Sequence, residues 1–258
     1  MRPRGVSEVG SASGQAEGAV KPIPAAEFDR RMEALGDEAI WREYYTPDSP
    51  PRIRRQALLR EALAPRSGER VLDVGCGAGG LDYWAAREGA RVVGVDYSAA
   101  SLRAARRVAG PLGRAAPAYV QADAARLPIR SGWFDKAICV DVLDMLPREQ
   151  HAGVLAELLR AVRPEGRIIL YTPNAPREAI GRALRPLRRL VGAASPRARL
   201  PHLGLTGPAR LRRLLRGLRA AGSLAYADMN YPWLAALPLL RRWLAGHMMW
   251  TISRPEAG

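Results

Sequence analysis

The chain reads as an α/β protein built on a doubly wound, mostly parallel sheet, and three observations predict it. From residue 70 onward, apolar runs of strand length alternate with amphipathic segments of helix length. One run breaks into a glycine turn, VLDVGCGAGG at residues 71–80. Acids stand at or near the ends of four runs, Asp73, Asp96, Asp123 and Asp141, which is where open α/β sheets bind their ligands.

Residues 24–45 predict a helix, with Phe28, Met32, Leu35 and Ile40 roughly on one face. A proline-rich turn at 46–51 leads to a second helix over 52–63, ended by Pro65 and Gly68. Strand 70–74, the glycine turn and helix 81–88 follow. Strand 91–95 ends at Asp96, and Ser98 is a suitable cap for a helix reaching 108. Strand 118–122 ends at Asp123, and strand 134–140 ends at Asp141. A helix over 148–162 stops at Arg163-Pro164-Glu165-Gly166, and strand 167–172 ends at Pro173 and Asn174. Beyond it come a basic helix at 177–191, a loop at 196–201 and a second basic helix at 206–220 with Thr206 as cap. A strand at 223–229, an apolar stretch at 233–244 and a last strand at 247–253 complete the order.

Residues 1–24, rich in Gly, Ser, Ala and Glu, have no apolar core of the signal-peptide kind and are expected to be a disordered leader. Residues 25–258 are expected to form one domain: a helical lid (25–69), a binding core (70–174) and a basic, substrate-facing part (175–258). No run approaches the ~18 apolar residues of a membrane span. The two cysteines, Cys76 and Cys139, lack metal-ligand spacing and fit a reduced, cytoplasmic chain. His151, His202 and His247 are scattered and make no metal site. His151 is expected on an exposed helix face, and His247 in a structural place.

The net charge of +15 is unevenly spread. Residues 1–70 carry 12 basic and 11 acidic groups, residues 71–175 carry 13 and 11, and residues 176–258 carry 15 and 3. Only Lys21 and Lys136 are lysines, so an arginine-biased composition is the plain explanation of the total. It does not explain the clustering. The basic third suits an anionic surface, and its leucines and tryptophans favour a bilayer over nucleic acid. No basic strip interleaved with aromatics supports RNA.

Gly75, Gly77 and Gly80 satisfy G-x-G-x-x-G, and Asp96 lies at the distance of a ribose contact, which permits a dinucleotide. Asp73 opposes that choice. A carboxylate beside the turn repels a pyrophosphate and suits a ligand bearing an ammonium. Asp123, in Gln121-Ala122-Asp123-Ala124, can accept from an exocyclic adenine amine. A Tyr-x-x-x-Lys pair of the dehydrogenase kind is absent.

The segments VLDVGCGAGG, VVGVD, QADAARLP, FDKAICVDVL and LLRAVRPEGRIILYTPN occur in order across residues 70–174. In this the chain resembles the class I S-adenosylmethionine-dependent methyltransferases, with a softer likeness to the quinone-biosynthesis O-methyltransferases. The resemblance implies a Rossmann-like seven-stranded sheet with its last strand antiparallel. It implies Gly75, Gly77 and Gly79 under the cofactor, with Asp73 at the start of the loop. Asp96 would hold the ribose hydroxyls, Asp123 the adenine amine, and Ala124 would stack near the ring. Cys76, Tyr97 and Asp141 are further cofactor positions, Asp141 facing the methyl donor. Tyr44 and Tyr45 stand where similar enzymes fold a lid. Asp141, Asp144 and His202 are the candidates for a base, although no histidine stands beside Asp144, where many relatives carry His or Glu. The expected function is methyl transfer to a small, hydrophobic molecule, oxygen before nitrogen or carbon, with peripheral contact to an anionic membrane. A non-catalytic cofactor-binding regulator, an NAD-linked oxidoreductase and an RNA methyltransferase are the alternatives. The sequence assigns no oligomeric state.

Overall fold

A computed structural model describes residues 23–46, 48–184, 202–227 and 238–254. Seven strands form one sheet in the order β3-β2-β1-β4-β5-β7-β6. They are β1 (Arg70–Val74), β2 (Arg91–Asp96), β3 (Ala118–Gln121), β4 (Phe134–Val140), β5 (Val162–Pro173), β6 (Ala221–Ala227) and β7 (His247–Ser253). The first five pair in parallel, and β7 runs antiparallel to both β5 and β6. The strand order reverses between β1 and β4. A crevice opens at such a point, because the connections leave the two strands in opposite directions.

Burial explains the patterns. β1 is buried almost throughout, because helices cover both of its faces. On one face Leu72, Val74, Ala137, Cys139, Ile168 and Leu170 pack under α6 (His151–Ala161) and α8 (Pro208–Gly217), through Leu155, Leu158, Leu211 and Leu215. On the other face Val71, Val92, Ile138, Ile169 and Tyr171 meet α3 (Pro50–Leu63) and α4 (Gly80–Arg87). β7 alternates instead: Met248, Trp250 and Ile252 are buried, with less buried residues between them. Lys136 of β4 ties down the end of α3. Its ammonium donates to the Ala64 carbonyl at 2.6 Å and pairs with Glu69 at 2.7 Å.

Several elements differ from the expectation. The helix over 24–45 is three pieces: α1 (Ala25–Glu33), α2 (Asp37–Ile40) and a π-helical turn, Trp41–Tyr45. The extended backbone of Gly36 starts α2 afresh, and the break lets Tyr45 reach the glycine turn. α7 (Ala175–Ala183) is the described part of the helix expected at 177–191. Thr206 does not cap α8, since Gly207 holds that place without a side-chain bond. Thr206 is buried and bridges to Asn174 instead, which leaves its hydroxyl no route to the helix end. β5 begins at Val162 rather than 167, and β6 (Ala221–Ala227) begins two residues before the expected 223, the last two residues of the expected strand lying outside the described residues. His151 is buried, not exposed, with Nε2 3.3 Å from the Leu146 carbonyl. The expected leader, the loop at 196–201, the end of the 177–191 helix and residues 228–237 lie outside the described residues. α9 (Pro238–Leu244) occupies the rest of the apolar stretch.

The N-terminal helix α1 and the core meet at α5 (Ala99–Ala109). Ser98 caps it as expected, accepting from the Ser101 amide at 3.0 Å. The Ser98 hydroxyl donates to Asp29 of α1 at 2.6 Å, and Asp29 also accepts from the Ala100 amide at 2.9 Å. These bonds hold the Asp29 carboxyl below its usual range, the serine contributing most. Their stabilisation is therefore present above the ordinary carboxylate pKa and is lost as the pH falls through the lowered one. Asp29→Ala should cost about 1–2 kcal/mol at neutral pH, read from the urea midpoint. An unchanged midpoint would show that the Asp29 bonds add nothing to the fold.

Candidate functional site

A cavity of about 550 Å³ opens over the carboxyl ends of β1, β2 and β4. Its base is the turn after β1. The Gly75 and Cys76 amides both donate to the Val95 carbonyl, at 2.7 and 3.1 Å, which stitches the turn to β2. Gly75 has φ 78° and Gly77 φ 55°, the left-handed region that favours glycine. A side chain at Gly75 would also run into Val142, and one at Gly77 would stand 3.0 Å from the Tyr44 ring. Gly79 starts α4 over Tyr119, whose hydroxyl would be 2.5 Å from an added Cβ.

Asp96 organises this turn. One carboxylate oxygen accepts the Gly77 amide at 2.8 Å and the other the Ser98 amide at 2.8 Å. Each oxygen keeps a further lone pair for a ligand hydroxyl. Burial raises the pKa of Asp96 and the backbone bonds oppose it. Asp73 also lines the cavity, only 3% exposed. Its carboxyl is pushed up to about 7 by burial, against a hydrogen bond with Asp82 and with the charge of Asp96 adding to the rise. Tyr97, Asp123 and Ala124 line the same end. Asp123 is exposed and accepts from the Ala125 amide at 2.9 Å. Cys76 is buried, and burial raises its pKa, so it remains a thiol.

Asp141, after β4, lines the cavity with φ 53°, a strained value for a non-glycine residue. Arg55 of α3 donates to Oδ2 at 2.5 Å, and His247 of β7 stands 3.7 Å from Oδ1. Arg55 also lies over the face of Tyr171, on which His247 stacks. Burial raises the Asp141 pKa against the charge of the Arg55 guanidinium.

The strap 41–45 closes the other side. Tyr44 lines the cavity, its phenol pushed up to about 12 by burial. Tyr45 does not line it. It is a buried anchor that donates to the Ala78 carbonyl and packs on Trp41 and Tyr83. Asp144 and His202 pair at 2.7 Å, but neither lines the cavity. The Asp144 carbonyl also accepts the Leu203 and Gly204 amides, so the pair fastens the segment after residue 201 to the end of β4. The bond to Asp144 raises the His202 pKa.

Arg31, Arg52, Arg55, Phe28 and Met32 line the cavity and were not anticipated as site residues. They sit in helices without a motif, and only long-range packing brings them here. Asp82 had a signal: an acid in an otherwise apolar turn, directly after the glycines.

A crevice at the β1–β4 reversal, floored by glycines and ringed by strand-end acids, defines an α/β protein that binds a nucleoside-bearing ligand. A family model described as a methyltransferase domain matches residues 72–170. A demethylmenaquinone methyltransferase of Beutenbergia cavernae is 37% identical over 170 residues, 61% of this chain and 67% of that protein. A ubiquinone biosynthesis O-methyltransferase of Paracidovorax citrulli is 32% identical over 160 residues, 62% of this chain and 66% of that protein. The chain thus spans about two thirds of these relatives' length. The magnesium protoporphyrin IX methyltransferase of Synechocystis, solved with S-adenosylmethionine bound, superposes with TM-score 0.59 at 20% identity, over 90% of this chain and 97% of that one. The chain belongs to the S-adenosylmethionine-dependent methyltransferases.

The site fits that cofactor. The turn offers a floor without side chains, and Asp73 and Asp96 keep acceptor capacity toward the cavity. Asp96→Ala removes one or two ligand bonds of about 1.5–3 kcal/mol each. It should weaken binding of S-adenosylhomocysteine at least ~10-fold in calorimetry. Unchanged affinity would remove Asp96 from the site.

Proposed function

We propose that this protein transfers a methyl group from S-adenosylmethionine to an oxygen of a small, largely apolar molecule. The cavity carries the reading. Its acids gather at the strand ends, while Phe28, Met32, Leu35, Leu59, Val142, Met145 and Leu146 make an apolar wall. A wall of that kind takes an apolar acceptor by excluding water. The names of the ubiquinone and menaquinone relatives support the same class of acceptor.

When bound, S-adenosylmethionine supplies a methyl group on a positively charged sulfur. The chain's own task is then alignment, holding acceptor oxygen and methyl carbon in line in a dry site. Asp141 is the acid placed to receive the acceptor's proton. Its Oδ1 is buried and makes no hydrogen bond, and its raised pKa brings it nearer the working pH of a base. Arg55 fixes the other oxygen and balances the charge left on the acceptor. Residues 25–69 serve as lid, Tyr44 being the side chain that meets the glycine turn.

The basic part faces a membrane in this proposal. Leu184 beyond α7, and Leu240 and Trp243 of α9, are exposed apolar side chains beside the exposed Arg182, Arg241 and Arg242. Amphipathic surfaces with tryptophan and arginine bind anionic lipid by burying apolar area and neutralising phosphate. No described helix is long and apolar enough to cross a bilayer, so contact would be peripheral.

Incubation with methyl-labelled S-adenosylmethionine and catechol-type quinol precursors should yield labelled ether. Asp141→Asn should cut turnover about 10²-fold or more, with cofactor affinity changed far less. No label in any quinol, or full turnover by the variant, contradicts the reading. Phosphatidylglycerol vesicles should sediment the protein at low salt and release it at high salt. Absence of binding at low salt rules out the membrane face.

A further inference from the structure

Asp73 and Asp82 stand on either side of the glycine turn, one in β1 and one in the first turn of α4. They are 3% and 1% exposed. Asp73 lines the cavity and Asp82 stands behind it. Both Asp82 oxygens are buried without a nitrogen or hydroxyl donor. They press on β2 at Gly94, where any side chain would collide with Oδ2. The Tyr119 hydroxyl, also buried in this region, has no partner either. A polar niche has thus been carved at the cost of a β2 side chain, and its carboxyl is left without a donor of its own.

The groups that face the pair come from every surrounding element. They are Cys76 in the turn, Asp96 of β2, Tyr119 of β3, Cys139 of β4 and Tyr45 of the strap. All are acids, phenols or thiols. Among the described residues no arginine, lysine or histidine hydrogen-bonds or ion-pairs with either carboxyl. Two carboxylates in a low dielectric without a counter-charge do not both ionise. A hydrogen bond between them requires that one keep its proton. Burial raises both groups.

We propose that Asp82 is a positioning residue of the cofactor site: it shares one proton with Asp73, and that proton leaves for solvent when a ligand ammonium docks at Asp73. The inference rests on the S-adenosylmethionine reading above. It deepens that reading by naming what the ammonium end meets, a carboxyl pair bearing one proton and one negative charge rather than a lone carboxylate. The balance is simple. The pair loses H⁺ to the buffer and gains a negative charge, which the arriving ammonium neutralises. No bond other than O–H is broken. Affinity for the ligand therefore rises with pH over the range in which the free pair holds its proton. A purely structural Asp82 would instead be met by donors, and its removal would leave the ligand's pH profile unmoved.

S-adenosylhomocysteine is the probe, because it carries the ammonium without the sulfonium. Its binding is measured by calorimetry in two buffers of different ionisation enthalpy at pH 6, 7 and 8. The native protein should release a fraction of a proton that is larger at pH 6 than at pH 8, and should bind several-fold more tightly at pH 8. Asp82→Asn, and Asp82→Ser if the first variant does not fold, should release no proton and bind equally at all three pH values. The ligand-free Tm gives a second readout. A raised folded-state pKa means that the pair's stabilisation is present at acid pH and is lost as the pH rises. Between pH 6 and 8 the native Tm should therefore fall by several degrees more than that of Asp82→Asn. Binding of the native protein without proton release and with equal affinity at pH 6 and 8 overturns the inference while leaving the cofactor reading intact. Failure of native protein and variants alike to bind the probe overturns the cofactor reading, and this inference with it.

Discussion

The site turns on the two hydrogen bonds that the Gly75 and Cys76 amides donate to the Val95 carbonyl. They force the chain to leave β1 in a tight left-handed turn directly over the end of β2. That turn brings the Gly77 amide to Asp96, sets Gly79 at the start of α4, and leaves a floor on which no side chain stands. The fit is close on both sides. Val142 presses on Gly75, the Tyr44 strap on Gly77 and Gly80, and Tyr119 on Gly79. A single added methyl group would displace either the lid or the neighbouring strand. The crevice at the β1–β4 reversal is a consequence of topology, and the turn makes it narrow and polar.

The second constraint is electrostatic. The chain carries an excess of fifteen positive charges, yet Asp73 and Asp96 line its cavity, with Asp82 behind them, and no cation is bonded to the three among the described residues. Burial lifts all three above the usual carboxylate range. Uncompensated acids lower the stability of the empty fold, and a site that awaits a cationic ligand commonly carries such strain. Asp141 is treated differently. Arg55 balances it, and it lies toward the apolar wall. The cavity thus separates a floor that lacks positive charge from an acceptor end that carries its own.

Local chemistry made much of this legible. β1, β4 and β7 have the expected limits, because buried strands announce themselves as apolar runs or as alternation. Ser98 is a cap because serine beside an amphipathic run has little else to do. The strand-end acids Asp73, Asp96, Asp123 and Asp141 all reach the one cavity. What escaped was long-range. Arg55 meets Asp141 across 86 residues, and His202 meets Asp144 across 58. No periodicity encodes such partners. His151 reads as a surface residue because its helix is amphipathic, and only the packing of the segment at 203–205 buries it. Thr206 has the chemistry of a cap but is claimed by Asn174. The same reason makes the glycine turn readable and the apolar wall of the cavity obscure: one is a contiguous segment, the other is assembled from the N-terminal helices and the turn after β4.

The most direct test of the account is a crystal structure with S-adenosylhomocysteine bound. The account predicts the ribose hydroxyls within ~2.5–3.0 Å of the Asp96 oxygens, and the amino group against Asp73. A ligand that occupies the cavity without touching Asp96, or that binds away from the glycine turn, would contradict it.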